Sequence, residues 1–157
     1  MKSLVVYYSR TGKTKFVAET IAAELGSDIE EIFDLKHREG KLGWMSATQD
    51  ASRGKETQIA PIKKVPNDYD VIIFGTPVWA FNLTPAIRTY IKNNELLGKK
   101  VALFYTYGIG LGQTAEKAKS LMPNSQFAGE LAVMTSTHNN EEIRKKVVAW
   151  CNLLKTA

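Results

Sequence analysis

The chain has 157 residues, 44% of them hydrophobic and 24% charged, which suits one domain over residues 1–157 with a core of its own. A single cysteine excludes an intrachain disulfide and points to a reducing, cytoplasmic setting, and no apolar run reaches the length of a membrane span. The net charge of +5 is scattered over short groups such as Lys63-Lys64 and Arg144-Lys145-Lys146, which read as solvated faces and not as a nucleic-acid stripe.

Lys2 to Tyr8 is a β-branched and aromatic run, the pattern of a central parallel strand covered on both faces. It is used as a strand and lacks a small-residue cleavage site, so it does not read as a signal peptide. Lys13 to Leu25 follows as a helix with Gly26 at its C-cap. Asp28 to Phe33 reads as a second strand. Lys36 to Pro66 is rich in charge and glycine, with a short helix expected between Leu42 and Ser52. Trp44 in that stretch either covers a ligand or pins the segment to the core. Tyr69 to Gly75 is a third strand, and Thr84-Pro85 opens a helix to about Asn93, with threonine as cap and proline first. Val101 to Tyr105 is a fourth strand and Gln113 to Met122 a helix stopped by Pro123. Gln126 to Val133 is a last strand broken by Gly129. Asn139 to Leu154 closes the chain as a helix with Ile143, Val147, Trp150 and Leu154 at helical spacing. Five alternations of strand and helix imply a parallel sheet with helices on both faces.

The first strand turns into its helix through Ser9, Arg10, Thr11, Gly12, Lys13 and Thr14. The first amides of a helix have no intrahelical acceptor, and the helix dipole adds partial positive charge there. The hydroxyls of Ser9, Thr11 and Thr14 are further donors, and Gly12 allows close approach of the backbone. That chemistry suits a phosphate. The loop is not a Walker A site, because no glycine stands five residues before Gly12.

The spacing Ser9-x-Thr11-Gly12-x-Thr14, set within Val5 to Ile21, resembles the FMN-phosphate signature of the flavodoxins. Two further segments are similar to flavodoxin loops that line the two faces of the isoalloxazine ring. One is Thr76, Pro77, Val78, Trp79, Ala80, Phe81 and Asn82. The other is Thr106 to Gly112, which contains Tyr107, Gly108 and Gly110. The resemblance implies a flavodoxin-like, doubly wound α/β fold with five parallel strands in the order 2-1-3-4-5. Its switch point would gather these three loops at the carboxyl ends of the strands. It also implies non-covalent FMN. Trp79 and Tyr107 are the natural faces for a flat, mostly apolar ring, with Phe81 beside them.

In flavodoxins a peptide of the second loop turns over when the flavin is reduced. Here Val78 to Asn82 contains no glycine, so on reduction Ala80 would adopt the left-handed conformation that this turn needs, at a cost of about 1 kcal/mol. Two other classes of similar topology lack their chemistry in this chain. A phosphorelay receiver needs paired acidic residues after the first strand, and a low-molecular-weight tyrosine phosphatase needs a cysteine there. The sole cysteine is Cys151, near the end of the chain, and His37 and His138 stand far apart, so no metal site is expected. The expected function is electron transfer through FMN, with a redox partner protein or a small acceptor and no catalytic side chain. The alternative is an NAD(P)H-dependent FMN quinone reductase.

Overall fold

The computed structural model describes residues 2–156. Five parallel strands, β1 (Ser3–Tyr7), β2 (Asp28–Glu31), β3 (Val71–Pro77), β4 (Lys100–Tyr107) and β5 (Gln126–Met134), form one sheet in the order β2-β1-β3-β4-β5. Between them run α1 (Lys13–Leu25), α2 (Gly40–Ser52), α3 (Pro85–Asn93) and α4 (Thr114–Ser120), and α5 (Asn140–Thr156) follows the last strand. The order is the doubly wound 2-1-3-4-5 expected from the sequence.

The period of two in each strand divides the core. Val5 and Tyr7 face α1 and α5 with Val17, Ile21, Phe104 and Val147. Leu4, Val6 and Tyr8 face the other layer with Phe74, Leu83, Ile87 and Tyr90. Central strands are therefore apolar throughout, as a sheet covered on both faces requires.

Several boundaries differ from the sequence reading. β3 and β4 run to Pro77 and Tyr107 because their ladder continues through Thr76↔Tyr105 and Pro77↔Thr106. Thr76, Pro77, Thr106 and Tyr107 thus belong to strand ends, not loops. β2 ends at Glu31. Beyond it the chain pairs with residues 58–60, through Leu35 N–H to Gln58 O (2.9 Å) and Ala60 N–H to Phe33 O (2.9 Å). α4 closes in tight turns, Leu121 N–H to Ala118 O and Met122 N–H to Lys119 O, before Pro123. The break at Gly129 is a register shift against Val101 and Ala102. Asn139 and Glu142 exchange hydrogen bonds in a capping box ahead of α5. Among the described residues no helix is long and apolar enough to cross a membrane, and no metal-ligating cluster occurs.

The segment from Lys36 to Pro66 is the largest departure. It holds α2, three full turns long, and a buried ion network. The Arg38 side chain is buried, with Nε donating to Asp34 Oδ2 (2.5 Å) and Nη1 to Asp50 Oδ2 (3.1 Å). Lys36 Nζ reaches the same Asp50 oxygen at 2.6 Å. Burial pushes the Asp50 carboxyl up, but the hydrogen bonds from Lys36 and Arg38 outweigh it and hold it below the usual carboxylate range.

Candidate functional site

The loop after β1 is shaped by Ser9 and Gly12. Gly12 is the N-cap of α1 at φ 88°, in the left-handed region that favours glycine. Ser9 Oγ accepts from Gly12 N–H (3.1 Å) and Lys15 N–H (3.2 Å), so it folds the loop back on the helix. The first intrahelical bond is Phe16 N–H to Gly12 O, 3.0 Å. The amides of Thr11, Lys13 and Thr14 have no acceptor among the described residues. With the exposed Thr11 hydroxyl they are the donors this loop offers to an anion.

The other polar groups of the loop are engaged elsewhere. Thr14 is 2% exposed and its hydroxyl shares a 2.7 Å hydrogen bond with Thr106 Oγ1, joining the helix start to the end of β4. The hydroxyl expected to face a phosphate is thus tied to a strand end. Arg10 Nε donates to Arg38 O (3.2 Å), and its guanidinium lies 4.9 Å from the Trp44 ring centre. Lys13 Nζ donates to Thr135 O at 3.3 Å. The two basic side chains thus brace the loop against α2 on one side and the turn after β5 on the other. A cavity of about 250 Å³ lies against the second brace, lined by Thr11, Gly12, Lys13 and Phe16 and facing Thr135 and His138.

Beside this loop β3 and β4 end together, with Val78 N–H donating to Thr106 O (2.9 Å). Thr76 Oγ1 accepts from Thr84 N–H (3.1 Å) and lies 3.1 Å from Thr84 Oγ1. Both threonines are buried, so Thr84 stitches α3 to the strand end and makes no side-chain cap. Trp79, expected to offer its face to a ring ligand, is 3% exposed. Tyr8 (5.4 Å, perpendicular) and Trp44 (5.5 Å, 81°) stand edge-on to it and close it into the core. Trp44 therefore pins α2 to the site. Burial, helped by the Asp34 charge, pushes the Tyr8 phenol up to about 12, so it stays neutral in this cluster.

The ring that the second loop does present is Phe81, 57% exposed. It packs on the third loop, where a Cβ at Gly112 would overlap its own Cβ and one at Gly110 would lie 3.3 Å from its Cε1. Ala80 and Phe81 both have positive φ, 47° and 59°. Two consecutive non-glycine residues of this loop are thus left-handed. Tyr107 is half-buried, and Gly108 has open space around it. Asn82 is fully buried and presents no face to this site.

Sequence reasoning missed Tyr8, Arg38, Asp50, Arg88 and Thr135 as parts of this neighbourhood. Their contacts join segments far apart in the chain, and no short-range spacing marks them. The three loops carry no Asp or Glu, while Arg10 and Lys13 flank the first. The site thus favours negative charge on whatever it holds.

The sequence profile of the flavodoxins matches residues 2–152. A candidate flavoprotein from Bacteroides uniformis is similar in structure, with TM-score 0.78, 22% identity, and coverage of 96% of this chain and 97% of that one. A flavoprotein from Lactobacillus acidophilus solved in complex with FMN has TM-score 0.70 and 24% identity over 83% and 92% of the two chains. The two-electron reduced flavodoxin of Megasphaera elsdenii has TM-score 0.55 and 24% identity over 96% and 98%. With the profile spanning nearly the whole sequence and the strands in the order 2-1-3-4-5, this chain belongs to the flavodoxin family.

Proposed function

We propose that the chain is an electron-transfer protein that holds non-covalent FMN between its three loops. The observation that carries this is the set of unpartnered amides at Thr11, Lys13 and Thr14, in a loop closed by Ser9 and turned at Gly12. These amides and the Thr11 hydroxyl hold the phosphate. Arg10 and Lys13 brace the loop and add positive charge near it. Phe81 and Tyr107 flank the ring. The main chain of Val78, Ala80, Gly108 and Gly110 supplies donors and acceptors to its polar edge. Trp79, Thr76, Pro77, Thr106, Thr14 and Asn82 stand behind these groups and fix them. FMN, when bound, accepts and donates one or two electrons. The chain's own residues bind it, orient it and limit water around it. A reducing, cytoplasmic setting is consistent with the lone Cys151, whose thiol burial pushes up to about 11.

Changing Thr11 to Val is expected to weaken FMN binding by roughly 1–3 kcal/mol, the scale of a hydrogen bond to a charged group. Riboflavin, which lacks the phosphate, should bind almost as before. Fluorescence titration of the flavin-free protein with both ligands measures this. Equal losses for the two would show that the loop does not hold the phosphate.

A second reading, an NAD(P)H-dependent FMN quinone reductase, is favoured by α2. This helix brings the partly exposed Trp44, stacked under Arg10, alongside the second loop. Trp44 from this helix and Arg10 from the first loop together put an aromatic and a cation beside the ring site. Anaerobic mixing of the flavin-loaded protein with NADPH or NADH separates the two readings. Rapid bleaching supports the reductase. Reduction only through a separate protein donor supports the carrier.

A further inference from the structure

Trp79 and Asn82 pair as an isolated antiparallel bridge, with Trp79 N–H to Asn82 O at 2.9 Å and Asn82 N–H to Trp79 O at 3.0 Å. The two residues between them, Ala80 and Phe81, are both at positive φ. A two-residue turn of this kind favours Asn-Gly, because side chains with a Cβ are strained there. Ala-Phe does not hold such a turn by its own preference. Something outside the turn must impose it.

The Asn82 side chain is in place to do so. The residue is 1% exposed. Its Nδ2 donates to Ala51 O (2.8 Å), in the last turn of α2. Its Oδ1 accepts from Leu83 N–H (2.9 Å) and from Arg88 Nη2 (3.2 Å), on α3. Arg88 is held at a cost, since its Nε is buried without a partner. Its guanidinium packs beside Gly54, just past α2, where a Cβ would lie 3.5 Å from Cζ. One amide therefore ties the turn to two helices, and a half-buried charge backs it.

We propose that Asn82 is the positioning residue of the ring site: backed by Arg88 and tied to α2, it holds the Ala80–Phe81 turn in the form that sets Phe81 against Gly112, and so sets how tightly the site grips a flat aromatic ligand. Asn82 itself touches no ligand. The role rests on the FMN reading above.

The test uses the full chain freed of flavin. Asn82→Ala should lower the affinities for FMN and riboflavin by the same factor, about tenfold, the scale of one buried hydrogen bond lost. This equal loss is the opposite of the pattern expected for Thr11→Val. Adding Ala80→Gly should recover most of both affinities, because glycine takes positive φ without strain. A lowered melting temperature with both affinities unchanged would reduce Asn82 to a structural residue and overturn the proposal. So would a loss confined to FMN, or a loss that Ala80→Gly does not relieve. Should Asn82→Ala fail to fold, Arg88→Met leaves the bonds to Leu83 and Ala51 in place. It should give the same pattern at roughly threefold. Amide exchange reports on the turn without any flavin. In Arg88→Met the Asn82 amide should exchange faster, and an unchanged rate would contradict the lock. A wild-type chain that binds no flavin, yet shows this exchange response, would instead sink the FMN reading on which the role rests.

Discussion

Arg38→Met is expected to destabilise the protein by about 3 kcal/mol, the lower end of the range for a buried ion pair that loses one partner. Arg38 is 5% exposed and bonded to both Asp34 and Asp50. Methionine fills similar volume but leaves two carboxylates with less compensation. Lys36 still reaches Asp50, and Thr57 Oγ1 still donates to Asp34 (2.7 Å), which keeps the loss from being larger. The network also has a pH signature. The folded Asp50 carboxyl titrates below its ordinary value of 3.8. Its stabilisation is therefore complete above that value and is lost as pH falls through the depressed folded value. Urea denaturation at neutral pH should show the wild type well above the variant. On acidification the gap should narrow, because the wild type loses what the variant never had. A gap that persists at full size in acid would show that Arg38 acts through packing alone.

Gly75→Ala should cost nearly as much, at the upper end of the roughly 1–3 kcal/mol range for overpacking a core. A Cβ at this position would overlap the Phe104 ring, which is fully buried on the neighbouring strand. Either the ring or the end of β3 must therefore shift. Gly75 immediately precedes Thr76, and its carbonyl accepts from Tyr8 N–H at 3.1 Å. The displacement should therefore reach the ring site, and flavin affinity should fall along with thermal stability. Phe104→Leu in the same chain should recover part of the stability. A Gly75→Ala protein as stable as the wild type would contradict the packing described here.

The strand order and the turn from β1 into α1 were legible in the sequence because both rest on local chemistry. Val5 to Ile21 carries a buried strand, a hydroxyl-rich turn and a helix start within one short run, and backbone rules suffice to read it. What was not legible depends on contacts between distant segments. Trp79 reads as a ligand face until Tyr8 and Trp44 close over it. Thr14 reads as part of its own loop alone, and only the fold joins its hydroxyl to Thr106, 92 positions on. The charges between Lys36 and Pro66 look like those of a solvated loop. Only the fold brings Arg38 between Asp34 and Asp50 and makes them a buried core.

The central claim, that the three loops hold FMN, is tested most directly by identifying what the purified protein carries. Acid release of the cofactor followed by chromatography should yield FMN as the main species, or FMN uptake on reconstitution where the preparation is colourless. FAD as the main species, or no flavin bound after reconstitution, would contradict the account.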